Sequence, residues 1–290
     1  MRGRLALQLF LDGIVNGSLF ALVGVSWSVI YGTARVFHFA HVLSIVVASY
    51  TAVLLVDDLG TPIVFAAAAA IVAAAASGAA AQAFVYRPMR RAGTGDLGMF
   101  LVSMGLYVAG VNVLQIVLGA GNRGLQLIPS EVYLIGSAAI TRLDVGLIAV
   151  AWLSIAVVWA ADRFTRWGSS TSAVRTNVEL ARGVGVRVER VHLLAFVVGS
   201  ALVGVAGLYV ASTSAINPSM GLSVVVSGLI AMFLGGAGSL LGSAAGGLIL
   251  GLAQSMGGLW LPGHWQPTIA LVVLLAILLL RPQGLFRTAS

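Results

Sequence analysis

Long apolar runs broken by short polar interruptions organise the whole chain. A helix needs about 20 mostly apolar residues to cross the hydrocarbon core of a bilayer. Runs that reach or approach that length occupy residues 5–30, 39–56, 61–85, 97–118, 145–161, 192–210, 222–234, 240–259 and 268–280. The run at 222–234 is short, and the last is full length only if Pro267 and its predecessors join it. Between these runs, residues 119–144 are mixed, with Gly, Asn, Pro and isolated charges. Residues 162–191 are polar and hold Arg163, Arg166, Arg175, Arg182, Arg187 and Arg190. The pattern predicts an all-α integral membrane protein, a polytopic helical bundle. It has about eight transmembrane helices, roughly seven to nine, with broken or re-entrant segments. Residues 1–290 read as a single transmembrane domain that includes the cytoplasmic loop 162–191.

Composition agrees. Hydrophobic residues make up 59% and charged residues 9%, too few charges to cover a water-soluble globule of this size. All 16 basic residues are arginine, and there is no cysteine. No Walker A lysine, Schiff-base lysine, disulfide or thiolate metal site is therefore available. The net charge of +7 reads as the positive-inside bias of a membrane protein and not as a nucleic-acid footprint. That rule places the Arg87–Arg91 cluster, the loop 162–191 and the C-terminal tail from Arg281 in the cytoplasm. The segment 119–144 then lies outside. Nine crossings would put Arg2 and Arg4 outside and eight would put them inside. Eight is favoured, with one of the first three runs broken or re-entrant and the break near residues 31–41.

No catalytic constellation is present, so no enzyme, cofactor or metal is expected. His38 and His41 form an H-x-x-H pair, but the Glu and third ligand of a zinc hydrolase are missing. Glycines are more informative. Gly238, Gly242 and Gly246 repeat every four residues, a spacing that on a helix makes a flat strip for close backbone packing or gating. Gly235-Gly236 offers a turn just before it. In the loop, residues 172–184 predict a short amphipathic helix with Val174, Val178 and Ala181 on one face. Ser172 is its N-cap candidate and Gly183 or Gly185 its end. Arg175–Glu179 and Glu179–Arg182 are its candidate ion pairs.

Three stretches resemble a known family. They are Asn16-Gly17-Ser18 with Tyr31-Gly32 and Phe39-Ala40-His41; Tyr86-Arg87-Pro88-Met89-Arg90; and a long run from Glu179-Leu180-Ala181 through Gly185-Val186, Asn217-Pro218 and Leu234-Gly235-Gly236-Ala237-Gly238-Ser239 to Gly251. They resemble the permease subunits of bacterial ABC importers for branched-chain amino acids, the Liv-type family. His38 departs from the family's usual Asn.

The resemblance implies a membrane-spanning permease that translocates branched-chain amino acids or a related small organic solute. It implies two ATP-binding cassette subunits, a second homologous permease or a second copy of this chain, and a solute-binding protein, in the inner membrane of a bacterium. Arg175, Glu179, Leu180, Ala181, Arg182, Gly183, Gly185 and Val186 would form the ATPase-coupling loop. Asn16, Tyr31, Phe39, His41, Asn217 and Pro218 become candidates for the translocation path, and Gly235, Gly236, Gly238, Gly242 and Gly246 for helix packing or gating. The alternative is a secondary transporter or channel. That would need an ion or proton site in mid-membrane, and Asp12 is the only charge well inside a strong run.

Overall fold

The computed structural model describes residues 2–119, 121–125, 131–281 and 284–286. Arg287, part of the expected cytoplasmic tail, lies outside the described residues. The helices are α1 (Arg2–Ala34), α2 (His41–Asp58), α3 (Ile63–Arg91), α4 (Asp96–Leu118), α5 (Arg142–Phe164), α6 (Arg166–Thr176), α7 (Val178–Gly183), α8 (Val188–Thr213), α9 (Gly221–Gly235), α10 (Leu240–Gly257) and α11 (Gln266–Leu280). A hairpin of β1 (Val132–Ile135) and β2 (Ala138–Thr141) turns at Gly136 inside the mixed segment. Among the described residues, eight helices are long and apolar enough to cross a membrane, the number expected. The short one is α9. It is not one of the first three, which are all long. The chain does break at residues 35–40, where Arg35 takes a left-handed backbone, but full-length helices flank the break on both sides.

Contacts group the chain into two units: residues 1–28, 127–157 and 226–289, and residues 29–126 with 158–225. In the first unit α10 runs antiparallel to α1. Gly17 lies against Leu248, and Ser28 Oγ sits 2.6 Å from Ser243 Oγ at the far end. A Cβ at Gly247 or Gly251 would collide with the α1 backbone at Ala21 and Gly17. A Cβ at Gly242 or Gly246 would collide with α9 at the Gly235 and Ala231 carbonyls. Helix α10 therefore presents one glycine pair to each neighbour, and both neighbours approach to backbone contact.

Gly238 does not belong to the helical strip that its spacing suggests. It lies in the turn before α10, where Gly236 and Gly238 both have positive φ (107° and 89°), a conformation only glycine adopts freely. Ser239 then caps α10 by accepting a hydrogen bond from the Gly242 N–H at 3.1 Å.

The two ends of this unit are distinct. Near the start of α1, the Gln8 side chain acts as a strand segment for the hairpin: its Oε1 accepts from the Ala139 N–H (2.8 Å) and its Nε2 donates to the Ala139 carbonyl (3.0 Å). Beyond α11, Leu285 and Phe286 donate backbone hydrogen bonds to the Leu234 and Gly235 carbonyls, beside the first turn of α10. Because α1 and α10 are antiparallel, the start of α1 and the end of α11 lie at opposite ends of the unit, which needs an odd number of passes, so the expected even count with Arg2 and Arg4 on the side of the C-terminal tail does not hold.

In the second unit α2, α3 and α8 pack together on small residues. Ala66, Ala70, Ala74 and Gly78 recur every fourth residue of α3 and are all buried. Gly204 packs on α3 at Ala74 and Ile71, and a Cβ at Gly207 would lie 2.6 Å from the Ile45 carbonyl of α2. Ser49 Oγ donates to the Gly207 carbonyl at 2.8 Å, and Ser44 and Ser77 share a 2.8 Å hydroxyl contact. In a bilayer, where apolar burial gives no preference for helix over lipid, such dispersion and hydrogen bonding holds helices together.

Replacing Gly246 with leucine forces α9 away from α10. The expected cost is about 1–3 kcal/mol, read as a lower Tm of the detergent-purified protein, with Ala149→Leu at an exposed position of α5 leaving Tm unchanged.

Candidate functional site

The loop expected to carry function forms two helices. α6 ends at Thr176, and Asn177 takes an extended backbone (φ −159°, ψ 113°). Its Oδ1 accepts hydrogen bonds from the Glu179 and Leu180 N–H groups at 2.9 and 3.0 Å. Asn177 is therefore the N-cap of α7, and Ser172, the residue expected to cap, lies inside α6. The break also separates Arg175 from Glu179, so that expected pair does not form. Arg175 instead bridges to Asp162 at 3.4 Å, while Glu179 pairs with Arg182 at 2.9 Å.

α7 ends in a Schellman motif. The Gly185 N–H donates to the Arg182 carbonyl and the Val186 N–H to the Ala181 carbonyl, with Gly185 left-handed at φ 86°.

The apolar face of this segment turns inward. Val174 and Ala181 are buried with Val188 and Val191 of α8, and Val178 and Val186 pack against them. The side chains left facing outward are different: Leu180 and Val184 are 69% and 78% exposed, beside the Glu179–Arg182 pair. Ala181 is a packing residue, and Gly183 is the last residue of α7. The base of the segment is tied to α3 by Arg87 to Glu189 (3.2 Å) and by Arg90 to His192. These ties join the Tyr86–Arg90 stretch to the start of α8.

The candidates for the translocation path do not gather into one place. Asn16 is in the first unit, its amide donating to Ser255 Oγ at 3.4 Å. Tyr31 stacks on Phe37, and Phe39 meets Phe100 edge-on, at the connection between α1 and α2. Asn217 and Pro218 lie beyond the far end of α8, next to the Ile216–Arg123 bridge, where Asn217 Oδ1 accepts from Ser219. His41 is fully buried beside His38, with ring centroids 5.3 Å apart.

His38 anchors a buried polar knot. Its Nδ1 lies 2.7 Å from the Tyr86 hydroxyl, which donates to Ser103 Oγ at 2.9 Å; Ser103 Oγ in turn accepts from the Ala40 N–H at 3.3 Å. Phe196 covers both His38 and Tyr86. His38 Nε2 and both side-chain polar atoms of Gln82 are buried with no hydrogen-bond partner among the described residues. Burial, and secondarily the neighbouring His41, hold the His38 pKa well below the usual histidine value, so the ring is neutral.

Sequence reasoning missed Gln82, Ser103 and the capping role of Asn177. Asn before a Glu-containing turn was a readable cap signal. The meeting of Gln82 and Ser103 with His38 had no local signal. No three His, Cys, Asp or Glu side chains among the described residues are grouped to hold a metal ion.

The family model described as "Branched-chain amino acid transport system / permease component" matches residues 9–281. The high-affinity branched-chain amino acid transport permease LivH of Escherichia coli K12 is 27% identical over 96% of this chain and 94% of its own length. The corresponding BraD of Pseudomonas aeruginosa is 24% identical over 96% and 95%. The autoinducer 2 import permease LsrC of Escherichia coli K12 is 29% identical over 61% of this chain and 53% of its own length. No solved structure matches the chain.

Two outcomes test the local chemistry. Asn177→Ala removes the cap of α7 at a cost of about 1 kcal/mol, visible as faster proteolysis of the exposed 176–186 segment. A depressed His38 pKa contributes stability that is complete above the unfolded value of about 6.5 and is lost as pH falls below it. The Tm of His38→Gln therefore falls less than that of the wild type between about pH 7.5 and 5.

Proposed function

Because the chain belongs to the family of permease components of branched-chain amino acid transport systems, we propose that it forms the translocating half of an ATP-driven importer, carrying a branched-chain amino acid or a related small organic solute. Its partners in this reading are two ATP-binding cassette subunits, a second permease or a second copy of this chain, and a solute-binding protein. The observation that supports the coupling role is the α6–α7 segment. Its apolar face is already buried against α8, yet Leu180 stands 69% exposed on a short, doubly capped helix. A rigid knob on a polar, arginine-rich loop suits insertion into a cleft of a cytoplasmic ATPase. The chain has no lysine and hence no Walker A loop, so the free energy for uphill transport enters from that partner.

In this reading the Arg87–Arg91 cluster, the loop 162–191 and the end of α11 face the cytoplasm. The start of α1 and the β-hairpin then lie on the outer face. That leaves Arg2 and Arg4 against the charge rule, outweighed by the six arginines of the loop. The path residues implied by the resemblance remain proposals within each unit: Asn16 in the first, and Tyr31, Phe39, His41, Asn217 and Pro218 with the buried Gln82 in the second. The contacts of Gly235, Gly242 and Gly246 give gating a close-packed surface on which to act.

Leu180→Asp should abolish ATP-dependent uptake into liposomes holding the full set of subunits while leaving the Tm of this chain unchanged. Normal uptake by that variant would overturn the coupling role, and gradient-driven uptake by this chain alone would favour the secondary-transporter alternative. Sidedness is open to direct labelling, since the chain has no native cysteine. A membrane-impermeant maleimide on intact cells should modify Ser137→Cys in the hairpin turn and spare Arg281→Cys.

A further inference from the structure

Where the loop 162–191 meets the ends of α5 and α8 there is a cavity of ≈ 490 Å³. Arg166 and Trp167 of α6, the turn from Val184 to Arg187, and Arg190, Val191 and Leu194 of α8 form most of its wall. Three guanidinium groups line it, those of Arg166, Arg187 and Arg190, and no carboxylate does. The ion pairs formed nearby use other arginines: Arg175 with Asp162, Arg182 with Glu179, and Arg87 with Glu189. The cavity therefore concentrates positive charge that the described residues do not neutralise. The Trp167 ring forms part of the wall beside these guanidinium groups.

The position of the cavity selects the kind of anion. Its two flanks are the points where membrane helices end. α5 stops at Phe164, whose side chain is 76% exposed, and the apolar run of α8 starts at Leu193, followed by the half-exposed Leu194 of the cavity wall. Tryptophan and arginine at helix ends mark the headgroup layer of a bilayer, with aliphatic side chains continuing toward the acyl region. A phosphodiester here would meet three arginines, while its acyl chains would run past the half-exposed Leu193 and Leu194. An acidic segment of a protein partner would find the same charge but no use for the apolar flank.

We propose that this cavity binds the phosphate headgroup of an anionic phospholipid. The leaflet it draws from, the cytoplasmic one, rests on the proposed orientation, whereas the binding itself does not. The lipid would stiffen the junction between the membrane helices and the α6–α7 segment.

The test is native mass spectrometry of the chain purified from its membrane with whatever subunits accompany it, delipidated and titrated with phosphatidylglycerol or phosphatidylethanolamine. The wild type should retain phosphatidylglycerol preferentially. The Arg187→Gln/Arg190→Gln variant should bind it at least about fivefold more weakly, while Arg163→Gln, outside the cavity, should match the wild type. Arg166→Gln removes the third guanidinium of the cavity; it should weaken retention about fivefold and carries the test if the double variant does not assemble. Equal phosphatidylglycerol retention by wild type and cavity variants would overturn the proposal. So would displacement of the lipid by millimolar inorganic phosphate, which marks a free-phosphate site. Loss of an accompanying subunit with lipid retention unchanged would also overturn it, marking a protein-docking surface. Lipid retention is read without transport, so its failure leaves the coupling reading intact.

Discussion

Backbone-to-backbone contact between helices is the constraint on which both units depend. In the first, α10 is held between α1 and α9 by glycines that admit no Cβ: Gly247 and Gly251 on one side, Gly242 and Gly246 on the other. In the second, the alanine row of α3 and Gly204 and Gly207 of α8 play the same part. Lipid tails are as apolar as any side chain, so helices gain nothing by merely covering hydrophobic surface. They gain by close contact, and close contact requires small residues. Once the axes are this near, serine hydroxyls such as Ser28, Ser243 and Ser49 reach across and the arrangement acquires direction as well as proximity.

The loop 162–191 works on the other principle. Outside the bilayer, apolar burial does drive packing, and Val174, Ala181, Val188 and Val191 form a small aqueous-type core. That core fixes α7 to the base of α8. Asn177 at one end and Gly185 at the other satisfy the terminal backbone groups of a helix only six residues long, far too short to persist alone. Rigidity of this kind suits the coupling role proposed for the segment, because a flexible one would absorb motion without passing it on. The same valine core, continued by the Arg87–Glu189 and Arg90–His192 ties, connects the loop to α3 and so to the small-residue packing within the membrane.

The sequence by itself determined the class of the protein, the positions of the membrane helices and the arginine-rich character of the loop 162–191. These are legible because each rests on a local quantity: the length of an apolar run, the spacing of glycines, the density of charge. The motif stretches that carry the family resemblance are local too. What only the tertiary structure decided depends on which neighbour a residue meets. Val174, Val178 and Ala181 have the spacing of a free amphipathic face, yet α8 covers that face and leaves Leu180 exposed instead. Gly238 has the spacing of a helical strip, yet the chain reverses there and requires a left-handed residue. The break expected near residues 31–41 is a connection between two full-length helices, and the short helix is α9, outside the first three runs. His38, Tyr86 and Ser103 are up to 65 positions apart and meet because the connection between α1 and α2 converges with α3 and α4. Periodicity reports which face of a helix is apolar, but what comes to lie against that face is set by long-range packing.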